Sequence, residues 1–243
     1  MSNFDIVIPV GPNDNSVIRS QLEYTKKNII GYRNIYLISK TSLEVDGCKY
    51  ISEDSFPFTI DTVAKYHGKS SRNGWYLQQL LKLYAGNVIP GILETYLILD
   101  SDTFFLKPTT FLENGSSKPM YAYGNEYNIP YFSHMAKLDP SFKKINEKSG
   151  ICHHMIFQKK YLDEIFALVE SRHRGQFYEA FLKEVAAKDF LHSGASEYEL
   201  YFNYMLQRHP SEIIIRALKW QNVSSLTNSG FNDYESVHWY IRT

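Results

Sequence analysis

The apolar and polar positions alternate in long blocks. Asp5-Ile6-Val7-Ile8-Pro9-Val10 is an apolar run closed by Gly11-Pro12. Such a run, bounded by turn formers, predicts a strand buried on both faces. Asn13-Asp14-Asn15-Ser16 offers N-cap side chains, and Val17 to Asn28 carries Ile18 and Leu22, with Ile29 just beyond, on one helical face. Asn34 to Ser39 is a second strand, and Lys49-Tyr50-Ile51 a short third. Strand, helix and strand within about 35 residues make a βαβ unit and a parallel sheet. Ser52 to Ser71 shows no clean period and is expected to be irregular.

The clearest helix is Trp75 to Ala85, with Leu77, Leu80, Leu81 and Tyr84 as its core face. Extended back to Arg72, it places Arg72, Trp75, Gln79 and Lys82 on another face. That face is either an ordinary solvated one or the lining of a diphosphate or sugar pocket. Tyr96 to Leu99 then reads as a central strand, and it ends in Asp100-Ser101-Asp102. A second apolar run follows and Lys107-Pro108 stops it. Met120 to Tyr123 is a strand leading to Asn125 and Glu126, which are either loop residues or ligands for sugar hydroxyls. Tyr131 to Gly150 lacks periodicity. A strand over Gly150 to Phe157, helices over Tyr161–Glu170, Gln176–Lys188 and about Ser196–Arg208, and a late strand at Ile213-Ile214-Ile215 complete the pattern.

Composition narrows the class. The 243 residues are 44% hydrophobic and 21% charged, so the chain is globular and long enough for a sizeable core. Twenty-six basic residues balance 26 acidic ones, which gives no electrostatic case for nucleic acid or a membrane surface. Aromatics reach 15%, with 19 Tyr, a content that suits ring stacking and equally reflects codon bias. The two cysteines, Cys48 and Cys152, build no disulfide framework and point to a reducing compartment. Met1 to Asp5 shows no signal-peptide pattern and no apolar run reaches the roughly 20 residues that span a bilayer, so a cytoplasmic location is expected.

The chemistry centres on Asp100 and Asp102. Carboxylates at the carboxyl end of a buried strand sit where open α/β sheets bind ligands. Two hard oxygen donors suit Mg²⁺ or Mn²⁺, which share their shell with water and substrate phosphates. There is no Gly-x-Gly, so neither a dinucleotide fingerprint nor a phosphate loop is present, and a metal is the natural counter-charge. Cys152, His153 and His154 do not make a zinc site, because neighbours on a strand point to opposite faces. Ser196 with Glu199 forms the pattern of a capping box, leaving Glu197 free either to complement the helix dipole or to act as a general base.

Ile98-Leu99-Asp100-Ser101-Asp102, with the opening strand Phe4 to Val10, resembles the DxD motif of GT-A-fold glycosyltransferases. Together with Gly74 to Lys82 and Ser196 to Tyr201, it resembles a family of small bacterial and viral glycosyltransferases, over most of the chain from roughly Phe4 to Trp239. The resemblance implies a single GT-A-like (Rossmann-like) domain with a mixed, mainly parallel central sheet flanked by helices. Residues 1–102 would bind the nucleotide and 103–243 the acceptor. It implies a metal-dependent transfer of sugar from a nucleoside-diphosphate donor, with uracil the commonest base, to a hydroxyl of a glycan or other acceptor. Asp100 and Asp102 would hold Mn²⁺ or Mg²⁺, with His238 completing the shell. Lys82, then Arg72, would face the diphosphate with Gln79 and Ser101 beside them. Val10 and Ser39 would contact the base, Asn125 and His154 the sugar, and Glu197 would be the catalytic base. Two alternatives stand beside this reading. A nucleotidyltransferase would need a Gly-rich loop that Gly11-Pro12-Asn13-Asp14 does not supply, and a catalytically silent sugar-nucleotide or glycan-binding module would bind without turnover.

Overall fold

The computed structural model describes residues 4–227, 230–238 and 240–242; Trp239 and the opening Met1-Ser2-Asn3 lie outside that set. The chain begins with β1 (Phe4–Pro9), buried at every position, and after a short 3-10 turn enters α1 (Ile18–Asn28). Two short residues of strand, β2 (Ile29–Ile30), lead into β3 (Tyr32–Ser39), and β4 (Cys48–Ser52) follows. β1, β3 and β4 pair in parallel, as alternating strand and helix requires.

The segment expected to be irregular holds α2 (Ile60–His67), capped reciprocally by Thr59 and Thr62. It buries only Val63 and His67, too few positions to show a period in the sequence. Next comes α3 (Asn73–Val88), two residues longer at the start and three at the end than its apolar face suggests. It is buried on nearly all sides, Gln79 and Lys82 included. Gly86 lets it approach β5 (Thr95–Leu99): a Cβ there would lie 2.8 Å from the Tyr96 hydroxyl.

β5 pairs in parallel with β1 on the side away from β3. The chain therefore leaves β1 in one direction for β3 and returns to its other side at β5. This is the switch point at which open α/β sheets form a crevice beyond their carboxyl ends. The second apolar run becomes β6 (Thr103–Phe105), and β7 (Thr109–Thr110) pairs with β2. Buried Gln21 and Asn28 of α1 donate to the Thr103 and Phe105 carbonyls at 2.9 and 2.6 Å, which satisfies one edge of β6.

β8 (Met120–Ala122) leads to α4 (Ile129–Leu138), a helix where no period was visible. β9 (His154–Gln158) then closes the five-stranded sheet, antiparallel to β5, in the order β4-β3-β1-β5-β9. Helices α5 (Lys159–His173), α6 (Phe177–Lys183) and α7 (Glu197–Arg208) follow. β10 (Ile214–Arg216) pairs with β8, while β11 (Trp220–Val223) and β12 (Tyr234–Val237) build a small sheet on β6. One continuous buried core runs from Phe4 to Tyr234. The fold is thus mixed α/β with a mainly parallel central sheet flanked by helices. Among the described residues no helix is long and apolar enough to cross a membrane.

Candidate functional site

A cleft of about 300 Å³ opens beyond the carboxyl end of β5. Its floor is the turn Asp100-Ser101-Asp102, closed by Thr103 N–H donating to the Asp100 carbonyl at 3.1 Å. The start of α7 brings Ser196, Glu197 and Tyr198; α3 and the residue before it bring Lys82, Trp75 and Arg72. Trp220 and Asn222 of β11, and His238 and Tyr240 beyond β12, also line it, as do Asp14, Glu126, Tyr131, His153 and Ser193.

Lys82 organises one side. Its side chain is 3% exposed, and Nζ lies 2.6 Å from Asp100 Oδ1 and 2.6 Å from Glu197 Oε1. Burial disfavours the charge, but the two carboxylates overcome it and push the ammonium up to about 12. Asp100 is held at both oxygens, with acceptor capacity left on the carboxylate. The Tyr198 hydroxyl donates to Oδ1 at 2.8 Å, and the His153 ring sits 3.2 Å from Oδ2. Burial pushes the Asp100 carboxyl up, yet Lys82 and His153 hold it well below the usual carboxylate range. Glu197 is raised instead, by burial and the nearby Asp100 charge against the pull of Lys82. His153 reaches its place through a left-handed backbone, φ 64°, a conformation non-glycine residues hold only under surrounding constraint.

Asp102 is set up differently. The Ser236 hydroxyl donates to its Oδ1 at 3.2 Å, and its shortest approach to a cation is Arg242 Nη2 at 3.9 Å. Asp14 takes Arg242 at 2.9 Å and the Ser101 hydroxyl at 2.7 Å. Burial, then the charge on Asp100, pushes the Asp102 carboxyl up to about 6. A side chain in this state is under-neutralised, which is the chemistry a hard divalent cation relieves. Among the described residues His238 Nδ1 is buried with no hydrogen-bond partner; burial, then the neighbouring His153, pushes this imidazole down to about 4, so it is neutral and able to ligate. Among the described residues no three His, Cys, Asp or Glu side chains already form a cage. Mg²⁺ and Mn²⁺ need none when water and phosphate fill the remaining positions, so the donor set fits such an ion.

Of the residues singled out in the sequence, Asp100, Ser101, Asp102, Lys82, Arg72, Glu197 and His238 line the cleft. Five do not. Val10 is buried and its N–H extends the sheet to the Ile38 carbonyl. Ser39 turns its hydroxyl onto the Thr41 carbonyl at 2.7 Å. Gln79 lies beneath the surface, where its Oε1 accepts the Glu197 N–H at 3.1 Å, because α3 is buried on that face too. Asn125 is exposed and Glu126 takes the lining position. His154 stands among Phe105, Phe111 and Tyr234, and the cleft goes to His153, which lies just before β9 and turns there through its left-handed backbone. The capping box is half formed: Ser196 accepts the Glu199 N–H at 3.1 Å, while the Glu199 carboxylate binds Ser149, Lys144 and Asn203. Trp220 and Arg242 carried no sequence signal of their own, and the pattern around His153, Tyr198 and Asp14 did not give the tertiary contacts by which they reach the site.

Residues 40–241 match the model of a family described as a family of unknown function, DUF6492. No curated protein matches the chain. Among solved structures, mouse xyloside xylosyltransferase 1 in its apo form is similar at 12% identity and a TM-score of 0.44, over 90% of this chain and 87% of that one. A glycosyltransferase involved in the glycosylation of the major capsid of PBCV-1 is similar at 14% identity and a TM-score of 0.40, over 96% and 92%. At these scores neither likeness bears on activity.

Proposed function

The chain belongs to that family of unknown function, whose description states no reaction, and from the site itself we propose that it is a metal-dependent glycosyltransferase. It would move a sugar from a nucleoside-diphosphate donor, UDP by the sequence resemblance, to a hydroxyl of a glycan or other acceptor. The observation that carries the reading is Asp102: a buried carboxylate at the sheet's switch point, facing a cleft, and pushed up to about 6 by burial and the charge on Asp100.

Asp102, with Asp100 and His238 near it, would hold Mn²⁺ or Mg²⁺. The ion would supply Lewis-acid neutralisation of charge on the departing diphosphate. The chain's own groups do the rest. Lys82, Tyr198 and His153 fix Asp100 in one orientation, so the carboxylate pays no reorganisation on binding. Glu197, in the first turn of α7 and raised by burial, would take the acceptor hydroxyl's proton. The acceptor oxygen then bonds to the anomeric carbon as that carbon's bond to the phosphate oxygen breaks. The nucleoside diphosphate leaves with the electron pair, and the configuration inverts. The unpaired cysteines Cys48 and Cys152 support a cytoplasmic setting.

The test is a thermal-shift screen of nucleoside diphosphates and their sugars, each with and without Mn²⁺. A ligand that binds the folded state raises its melting temperature by mass action. A metal-dependent shift confined to one base supports the proposal and names the donor; no shift with any of them counts against it.

A further inference from the structure

Arg72 lines the cleft and takes no part in the chemistry above. The ion pairs around the cleft are made by Lys82, His153 and Arg242. Arg72 makes none among the described residues. Its Nη2 donates to the Ser193 hydroxyl at 2.8 Å and its Nε to the His192 carbonyl at 3.5 Å. The guanidinium lies 4.4 Å over the Trp75 ring, which fixes its plane. Among the described residues Nη1 has no partner, so part of the five-donor fork is unspent and already oriented. Burial pushes the guanidinium down from its ordinary value, as expected for a half-buried cation without a counter-ion.

This cation enters the cleft from the start of α3. About three helical turns, roughly 15 Å along α3, separate Arg72 from Lys82 at the cleft floor. Beside Arg72 stand Ser193 and Tyr131, whose hydroxyl groups suit sugar hydroxyls. The loop that carries Ser193 is itself anchored, since Asn128 Nδ2 donates to the Ser193 carbonyl at 3.0 Å. We propose that the Arg72 end of the cleft is an acceptor subsite for a sugar that bears an anionic group, a carboxylate or a phosphate. The proposal rests on the sugar-transfer reading for the word acceptor; the anion specificity stands on Arg72.

The experiment measures dissociation constants by ligand-observed NMR for methyl glucuronide, glucose 6-phosphate and the neutral methyl glucoside. Wild type, Arg72→Gln and Arg72→Lys are compared, each also titrated with UDP and with GDP in the presence of Mn²⁺. At least one anionic sugar should bind wild type about tenfold or more tightly than the glucoside, the scale of one charge-assisted hydrogen-bonded pair. Which one it is distinguishes a uronate from a phosphosugar acceptor. Arg72→Gln should erase that preference and Arg72→Lys restore only part of it, because an ammonium cannot bind in a planar fork. Nucleoside-diphosphate affinity should be the same in all three proteins. Equal affinity for charged and neutral sugars, or no sugar bound at all, overturns the subsite. Loss of nucleoside-diphosphate affinity in Arg72→Gln also overturns it, by giving Arg72 to the donor. If neither nucleotide binds wild type while the Arg72-dependent preference persists, the sugar-transfer reading fails and the anion subsite stands.

Discussion

Lys82 makes two demands on the fold that one substitution exposes. Lys82→Met keeps most of the side chain's apolar length and removes the ammonium that sits 2.6 Å from both Asp100 and Glu197. Breaking a buried pair by deleting one partner costs about 3–5 kcal/mol, because the other charge stays buried without compensation. At this chain length that corresponds to a melting temperature lower by about 6–10 °C. The loss should not be shared equally. Asp100 keeps Tyr198 and His153 as partners, whereas among the described residues the Glu197 carboxylate keeps only the start of α7. Glu197→Gln in the Lys82→Met background should therefore restore more stability than Asp100→Asn does. Loss of the ammonium also raises Glu197 further, so the deficit should shrink as the pH falls toward that value and the carboxyl takes its proton. Urea unfolding at several pH values, with an unchanged denaturant slope, reads all of this. A single variant that loses less than about 1 kcal/mol, or a larger rescue by Asp100→Asn, would refute the reasoning.

Two further outcomes follow from other groups. Glu197→Gln should lower transfer at least about a hundredfold while leaving metal-dependent donor binding intact, the usual scale for loss of a general base; Glu126→Gln, the other glutamate lining the cleft, should cost much less, and the reverse order would move the base to Glu126. Buried His134, whose ring nitrogen Nε2 lies 2.8 Å from the Phe181 carbonyl, is pushed by burial from 6.5 down to about 4, so the unfolded chain binds a proton that the folded one does not. Its contribution should be complete above about pH 6.5 and decline as the pH falls to about 4, by at most about 3 kcal/mol, and denaturation midpoints of His134→Gln that track wild type throughout this range would dispose of it.

The sequence showed most clearly what depends on local pattern. The apolar runs of β1, β3 and β5, the core face of α3 and the aspartates after β5 follow from period and punctuation alone. α2 and α4 stayed hidden because a helix with two to four buried positions leaves little period to read. β11 and β12 are four residues each and depend on pairing with each other and with β6. The site divides in the same way. Asp100 and Asp102 are legible as a motif, but the partner that fixes Asp100 comes from a residue in left-handed conformation just before β9. Gln79 shares the helical spacing of Lys82 and yet is enclosed, since spacing gives a face and not its neighbour. Buried Asp5, which binds Arg33 and the Leu93 N–H, gave no hint that it ties β1 to the chain entering β3 and β5.

The most direct measurement is calorimetric titration of UDP and GDP, with and without Mn²⁺, into wild type and Asp102→Asn. The account predicts that wild type binds one nucleotide and requires the metal to do so. The variant should fold normally, because asparagine keeps the shape of a carboxyl already pushed up to about 6, and should lose the metal-dependent binding. Tight binding by wild type without metal, or full metal-dependent binding by Asp102→Asn, would contradict the central claim.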